Sequence, residues 1–353
     1  MTGANYAAGH AMQAAPLASA VEILLDFLDP GTIIQVLING LAKSSVFVMI
    51  AVGLTLVFGL MGVLNFAHGS LTMIGAYLGG ALVLFAVSPS MGDFTRLGAF
   101  FVVVVAVLAL LTALGAALEI SLIRPLYDRP PLYQILLTFG LTLVFDEIVR
   151  IVLEIYDIQP TTKWQAPLNT RPSFMGQESQ RTLDWLFGVR VDGMQVFEIV
   201  FGFVVVVGIW LFLTRTRYGL YIRAGSEDTE MTEALGIDVG QAFTVVFGLG
   251  VGLAGVAGAL LMWDPIRGGA SVPLGADVLL PAFVVVIVGG LGTYRGTVVA
   301  ALIVGMTDAT MTWLFDNHVE FAGLPELVVF LILVIVLIVK PQGLFGVKEV
   351  GGH

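Results

Sequence analysis

The sequence predicts an all-α polytopic membrane protein with about eight or nine transmembrane helices, some of them broken by Gly or Pro. Three observations carry that prediction. Of 353 residues, 58% are hydrophobic and only 12% are charged, with a mean hydropathy of +0.96, far from the composition of soluble globular chains. Apolar stretches of the length that crosses a bilayer, about 20 residues each, follow one another from Ile33 to Lys340. Short, Gly-rich polar breaks separate them, among them Asn65-Phe66-Ala67-His68-Gly69, a pattern that implies a route for something polar.

Residues 1–32 form an N-terminal extension. No basic region precedes an apolar core there, and Glu22, Asp26 and Asp29 interrupt it, so it is expected to lie at the membrane interface and not to be a cleaved leader. The transmembrane domain runs over 33–340, with spans near 33–57, 66–87, 98–121, 132–156, 194–214, 241–263, 277–290, 296–313 and 323–340. The stretch 277–290 is short and contains Pro281, as a broken or re-entrant element does. Strands are not expected, because the apolar runs are continuous and do not alternate.

Lys and Arg in short connections set the orientation. Nine passes place Arg124 and Arg129, then Arg215, Arg217 and Arg223, then Arg295, and finally Lys340 and Lys348 on one side. That side, with the loop 214–241 and the tail 341–353, is therefore expected to be cytoplasmic. The opposite short loops carry only Arg96 and Arg267. The long segment 157–193, with Trp164, Phe174 and Trp185 among Pro, Asn, Gln and Ser, suggests an ordered extracytoplasmic cap.

Several chemistries are disfavoured. A net charge of −10 offers no basic footprint for nucleic acid. Cysteine is absent, and His10, His68, His318 and His353 have no ligand spacing, so no metal site is expected. No Ser/His/Asp constellation suggests an enzyme. The run Gly289-Gly290-Leu291-Gly292-Thr293-Tyr294-Arg295-Gly296 is a turn by composition, and no Gly-Lys-Ser/Thr closes it as a phosphate-binding loop requires. Energy from ATP would have to arrive through a partner. The candidate docking surface is Glu227 to Asp238, a short acidic helix ended by Gly236, with Met231, Ala234 and Leu235 on one face able to fill a groove. An interfacial loop helix without a partner is the plainer alternative.

Polar groups inside the apolar stretches are the other candidates. Asn65 and His68 either cap a helix at the membrane boundary or line a permeation path. Gly250, Ala254 and Gly258 repeat every four residues, which brings helices into close packing. Asp146, Glu147 and Arg150 lie within one span; the carboxylates suit an ion-coupled carrier, but the spacing also gives an intrahelical ion pair. Glu119 is placed to pair with Arg124. Lys43 falls inside the first span and snorkels only if that helix starts later. The hexapeptide Gly53 to Phe58 recurs at Gly140 to Phe145, as an inverted repeat or by chance.

Four blocks then point to a family. Gly53 to Gly80, Arg223 to Leu261, Pro281 to Gly305 and Lys340-Pro341-Gln342-Gly343-Leu344-Phe345-Gly346 resemble, in the same order, the permease subunits of branched-chain amino acid ABC importers, the LivH-like branch. Asn65-Phe66-Ala67-His68-Gly69 resembles that branch's signature after its first long helix. Glu233-Ala234-Leu235-Gly236-Ile237 resembles its coupling-helix motif, which meets the ATP-binding subunit. The resemblance implies a membrane core of two related permeases, this chain with a LivM-like subunit or a second copy, in a bacterial or archaeal cell membrane. Two cytoplasmic ATPases would hold ATP and Mg, this chain none, and an extracytoplasmic solute-binding protein would deliver cargo. Glu230, Glu233, Ala234, Leu235, Gly236 and Ile237 would then couple to the ATPase, with Thr55, Asn65, His68, Thr138 and Thr142 at the path or gate. Branched-chain or related amino acids are the expected cargo, and related permeases also move urea, short amides or aromatic acids. An ion-coupled secondary transporter is the reading from a different class. The acidic N-terminus and the 157–193 insertion depart from the family pattern at the receptor-docking side.

Overall fold

The computed structural model describes residues 20–88, 90–175, 181–183, 188–264, 269–319 and 324–346. Most of the N-terminal extension, together with His10, Trp185, Arg267, Lys348 and His353, lies outside the described residues. The helices are α1 (Ala20–Phe27), α2 (Pro30–Met61), α3 (His68–Ala86), α4 (Asp93–Leu118), α5 (Pro131–Ile155), α6 (Gly193–Arg215), α7 (Arg217–Glu227), α8 (Thr229–Ala234), α9 (Val239–Leu261), α10 (Leu274–Gly289), α11 (Tyr294–Leu314) and α12 (Leu324–Val339). By length and composition six of them are able to cross a membrane: α2, α3, α4, α6, α9 and α11. The expected count of eight or nine is reached only by adding α10 and α12, which are shorter, and α5, whose second half carries Asp146, Glu147, Arg150 and Glu154.

Acidic residues set several helix starts. The Asp29 carboxylate accepts from the N–H groups of Gly31 and Thr32 at the head of α2, and Asp238 accepts from Gln241 at the head of α9. Asp192 completes a capping box with Gln195 on α6. Each satisfies backbone donors that a helix N-terminus leaves unpaired.

The core is built around α9, which packs on α2, α3 and α4. Small residues make this possible: Gly250 lies against the Gly53 backbone of α2, Gly255 against Gly75 of α3, and Gly248 against Gly115 of α4. Without a hydrophobic drive between helices in lipid, such close backbone approach supplies the packing energy.

The 157–193 segment holds the one departure from an all-α chain among the described residues, a two-stranded antiparallel hairpin of β1 (Arg181–Leu183) and β2 (Val189–Val191). Elsewhere in this segment the Trp164 N–H donates to the Ala270 carbonyl at 2.7 Å, and the Arg171 guanidinium to the Trp263 carbonyl at 3.1 Å. The Ser173 hydroxyl and N–H both donate to Asp93.

Lys43 behaves differently from expectation. Helix α2 starts at Pro30, so Lys43 is well inside it, and its ammonium turns inward to Asp308 of α11 at 3.0 Å and to the Thr312 hydroxyl at 2.9 Å. A partner across the helix interface replaces snorkelling. Lys43→Met is expected to lower stability by about 2 kcal/mol, because it strands a carboxylate away from water, and Lys43→Met with Asp308→Leu should recover most of it. Thermal unfolding in detergent distinguishes the two.

Candidate coupling surface and permeation route

The segment between α6 and α9 is built by its own capping residues. Asp228 is extended, with φ −155°, and ends α7; its carboxylate then accepts from the Met231 N–H at 2.9 Å and starts α8. Gly236 adopts φ +81°, a conformation that costs glycine little, and turns the chain toward α9. The expected single helix over 227–238 is therefore interrupted at Asp228 and reduced to α8. Thr232 is buried and anchors it, while Met231 and Leu235 are 59% and 73% exposed. Glu230, Glu233, Ala234 and Gly236 are exposed around them, and Ile237 is half-buried. The result is an apolar knob with an acidic rim.

A buried charge cluster ties this surface to the bundle. Helix α4 ends in a π-turn over Glu119–Ile123, which aims the fully buried Glu119 at the start of α9. Glu119 accepts from Arg124 Nε at 3.1 Å and Nη2 at 2.9 Å, from the Tyr127 hydroxyl, and from the Thr244 hydroxyl at 2.7 Å. Arg124 also donates to the Gly240 carbonyl in the first turn of α9 at 3.2 Å. The pairing of Glu119 with Arg124 is legible in the sequence; Thr244, Tyr127 and Gly240 are not.

The five residues expected at a path or gate separate into two groups. Asn65, His68 and Thr138 gather at the break before α3. The Asn65 carboxamide oxygen accepts from the Ala67 N–H at 3.1 Å, His68 Nε2 bonds the Ile50 carbonyl at 3.0 Å, and the Thr138 hydroxyl donates to the Leu64 carbonyl at 3.1 Å. Ile50 precedes the end of α2 by about 16 Å at 1.5 Å per residue. The break thus turns back against α2 well before the end of that helix. Asn65 Nδ2 and His68 Nδ1, both buried, have no hydrogen-bond partner. Thr142 donates to the Thr138 carbonyl within its own helix.

Thr55 is elsewhere, sharing a 2.7 Å hydroxyl contact with Thr297 of α11 and lining a cavity of about 410 Å³ with Trp210, Arg223, Tyr294, Arg295 and Phe345. This volume suits a small solute. Arg223 of α7 and the adjacent Tyr294 and Arg295 of α11 come from elements far apart in sequence, and no local pattern joins them. Gly250, Ala254 and Gly258 lie buried in α9; a Cβ at Gly258 would stand 2.0 Å from the Thr72 carbonyl oxygen of α3.

Residues 36–339 match the family model described as branched-chain amino acid transport system, permease component. The chain is 30% identical over 323 residues to the high-affinity branched-chain amino acid transport system permease protein BraD of Pseudomonas aeruginosa, covering 90% of this chain and 97% of that one. It is 26% identical to the corresponding permease protein LivH of Escherichia coli K12 over 317 residues, 90% of this chain and 96% of the relative. A probable LivH permease protein of Methanocaldococcus jannaschii is 28% identical over 335 residues, 93% and 96% of the two chains. No solved structure matches.

Proposed function

This chain belongs to the family of branched-chain amino acid transport permease components, and from that premise we propose that it is driven by ATP-hydrolysing partners gripping its exposed α8. It would be one half of the membrane core of an importer in a bacterial or archaeal cell membrane. A LivM-like permease or a second copy forms the other half. Two ATPase subunits, which hold the ATP and Mg, act on the cytoplasmic face where 214–241 and the C-terminal tail lie. A solute-binding protein delivers a branched-chain or related amino acid to the opposite face, capped by 157–193.

The observation that carries this reading is the exposed pair Met231 and Leu235 on α8, rimmed by Glu230 and Glu233. Two large apolar side chains held out on a buried anchor are what a partner groove takes. Force on α8 has a short path inward, since Arg124 bridges the first turn of α9 to Glu119 at the end of α4. The permease can rely on the receptor for affinity, so alternation between outward- and inward-facing cavities is the whole of its chemistry.

Gly236→Arg forces a side chain into a φ of +81° with open space around it, which disturbs the docking segment without a clash in the core. Glu233→Lys reverses a rim charge. Both are expected to lose co-purification of the co-expressed ATP-binding subunits while the permease stays monodisperse. Retention of those subunits by both variants would contradict the assignment of α8.

A further inference from the structure

Charged groups within the long helices find partners close by. Lys43 meets Asp308, Glu119 meets Arg124, Glu147 meets Arg150 at 3.6 Å, and Asp146 accepts from the Ser70 hydroxyl at 2.7 Å. Arg223 of α7 and Arg295 of α11 differ: among the described residues neither forms an ion pair. The Arg223 guanidinium bonds through Nε to the Gly219 carbonyl of its own helix at 3.3 Å. Both arginines line the cavity beside Thr55, and among the described residues no carboxylate does. A zwitterionic amino acid would find no carboxylate there for its ammonium, whereas an anion meets two guanidinium forks.

Three connections assemble this cavity. The turn before α11 sets Gly292, at φ +77°, against Gly59 of α2, and the Tyr294 hydroxyl then donates to the Val206 carbonyl of α6. At the corner between α6 and α7, the Thr216 hydroxyl accepts from the Gly219 N–H at 3.0 Å, and Gly219 packs on the Phe212 and Leu213 carbonyls, which seats α7 against the end of α6. The tail completes the wall: the Leu344 and Phe345 N–H groups donate to the Val288 and Gly289 carbonyls at 2.8 and 3.0 Å, and Phe345 lines the cavity.

The surroundings are those of a membrane interface. Phe203, Val204 and Leu211 of α6 are exposed and apolar, as a lipid-facing surface is, and Trp210 beside them is 43% exposed and lines the cavity. Tryptophan and tyrosine gather at the level of lipid headgroups. Exposed Arg215 and Arg217 add positive charge at the same corner. Apolar Leu56, Leu213 and Phe345 share the cavity with the two arginines, so a ligand that is anionic at one end and apolar at the other uses both parts, and a free anion uses one.

We propose that this cavity holds the phosphate-bearing headgroup of an anionic phospholipid from the leaflet bordering the 214–241 face. Arg223 and Arg295 take the phosphate, and the acyl chains run along α6 past Trp210. About 410 Å³ is room for such a headgroup, and basic pockets between membrane helices are suited to it. Bound there, the lipid clamps α7 to α11. This binding is independent of what powers the permease.

Thermal unfolding of the full chain, purified and stripped of lipid in detergent, reads binding as a rise in midpoint with ligand concentration. Phosphatidylglycerol is expected to bind at least about tenfold more tightly than phosphatidylcholine, as two arginines at a headgroup allow. Arg223→Gln with Arg295→Gln should erase that preference, and Arg223→Lys with Arg295→Lys should keep most of it. Inorganic phosphate at the same concentrations should raise the midpoint far less. A preference that survives the glutamine pair would overturn the site. A phosphate response equal to that of phosphatidylglycerol would make it a free-anion site and overturn the lipid. Where the glutamine pair fails to fold, tryptophan fluorescence of the full chain decides. Phosphatidylglycerol with brominated acyl chains should quench it more than brominated phosphatidylcholine does, and Trp210→Phe should remove the difference. Equal quenching by the two lipids would contradict the proposal. Loss of the preference in the complex with ATP-binding subunits would also overturn it, by giving the guanidinium groups to carboxylates of that partner.

Discussion

Gly258→Ala is expected to prevent stable folding or to lower stability by roughly 3 kcal/mol, although only one methyl group is added. Its Cβ would stand 2.0 Å from the Thr72 carbonyl oxygen and 2.7 Å from the Ala76 amide of α3. Both are backbone atoms of a packed helix, so no side chain can swing aside and α3 must move away from α9. The same change at Gly140 meets nothing within 4 Å and should be neutral or slightly stabilising, because alanine favours a helix by about 1 kcal/mol over glycine. Yield of monodisperse protein and thermal unfolding in detergent report both. Equal behaviour of the two variants would mean that α9 does not pack through its small residues.

Arg124→Leu is the second large effect. It removes the guanidinium from a carboxylate that is fully buried, leaving Glu119 with the Tyr127 and Thr244 hydroxyls, at a cost of about 3 kcal/mol. Adding Glu119→Gln should return most of that stability, since a neutral amide needs no counter-ion. Uptake should not return with it, because the tie from Arg124 to the Gly240 carbonyl is still missing. A double variant that is stable, binds its ATPase, hydrolyses ATP and does not transport is the expected phenotype. Restored uptake would show that the cluster only holds the fold together.

Hydropathy made the membrane segments legible, because a helix that crosses lipid must satisfy its backbone internally and cover it with apolar side chains. The short acidic helix ahead of Gly236 and the tight Gly250 repeat were legible for similar local reasons. Partners distant in sequence were not. Lys43 finds Asp308 265 residues later, and nothing in its own helix predicts that. The repeated hexapeptide makes the same point, since Gly53 packs on Gly250 while Gly140 meets open space. Local sequence also misplaced one boundary. Asp228 looked like part of an acidic helix but its carboxylate starts a new one.

Reconstitution in liposomes addresses the mode of energy supply. With a second permease subunit, both ATPases and the solute-binding protein, the chain should accumulate a branched-chain amino acid only when ATP is supplied, and by itself it should accumulate none under a proton or sodium gradient. Accumulation by the chain alone, driven by such a gradient, would contradict an externally powered permease.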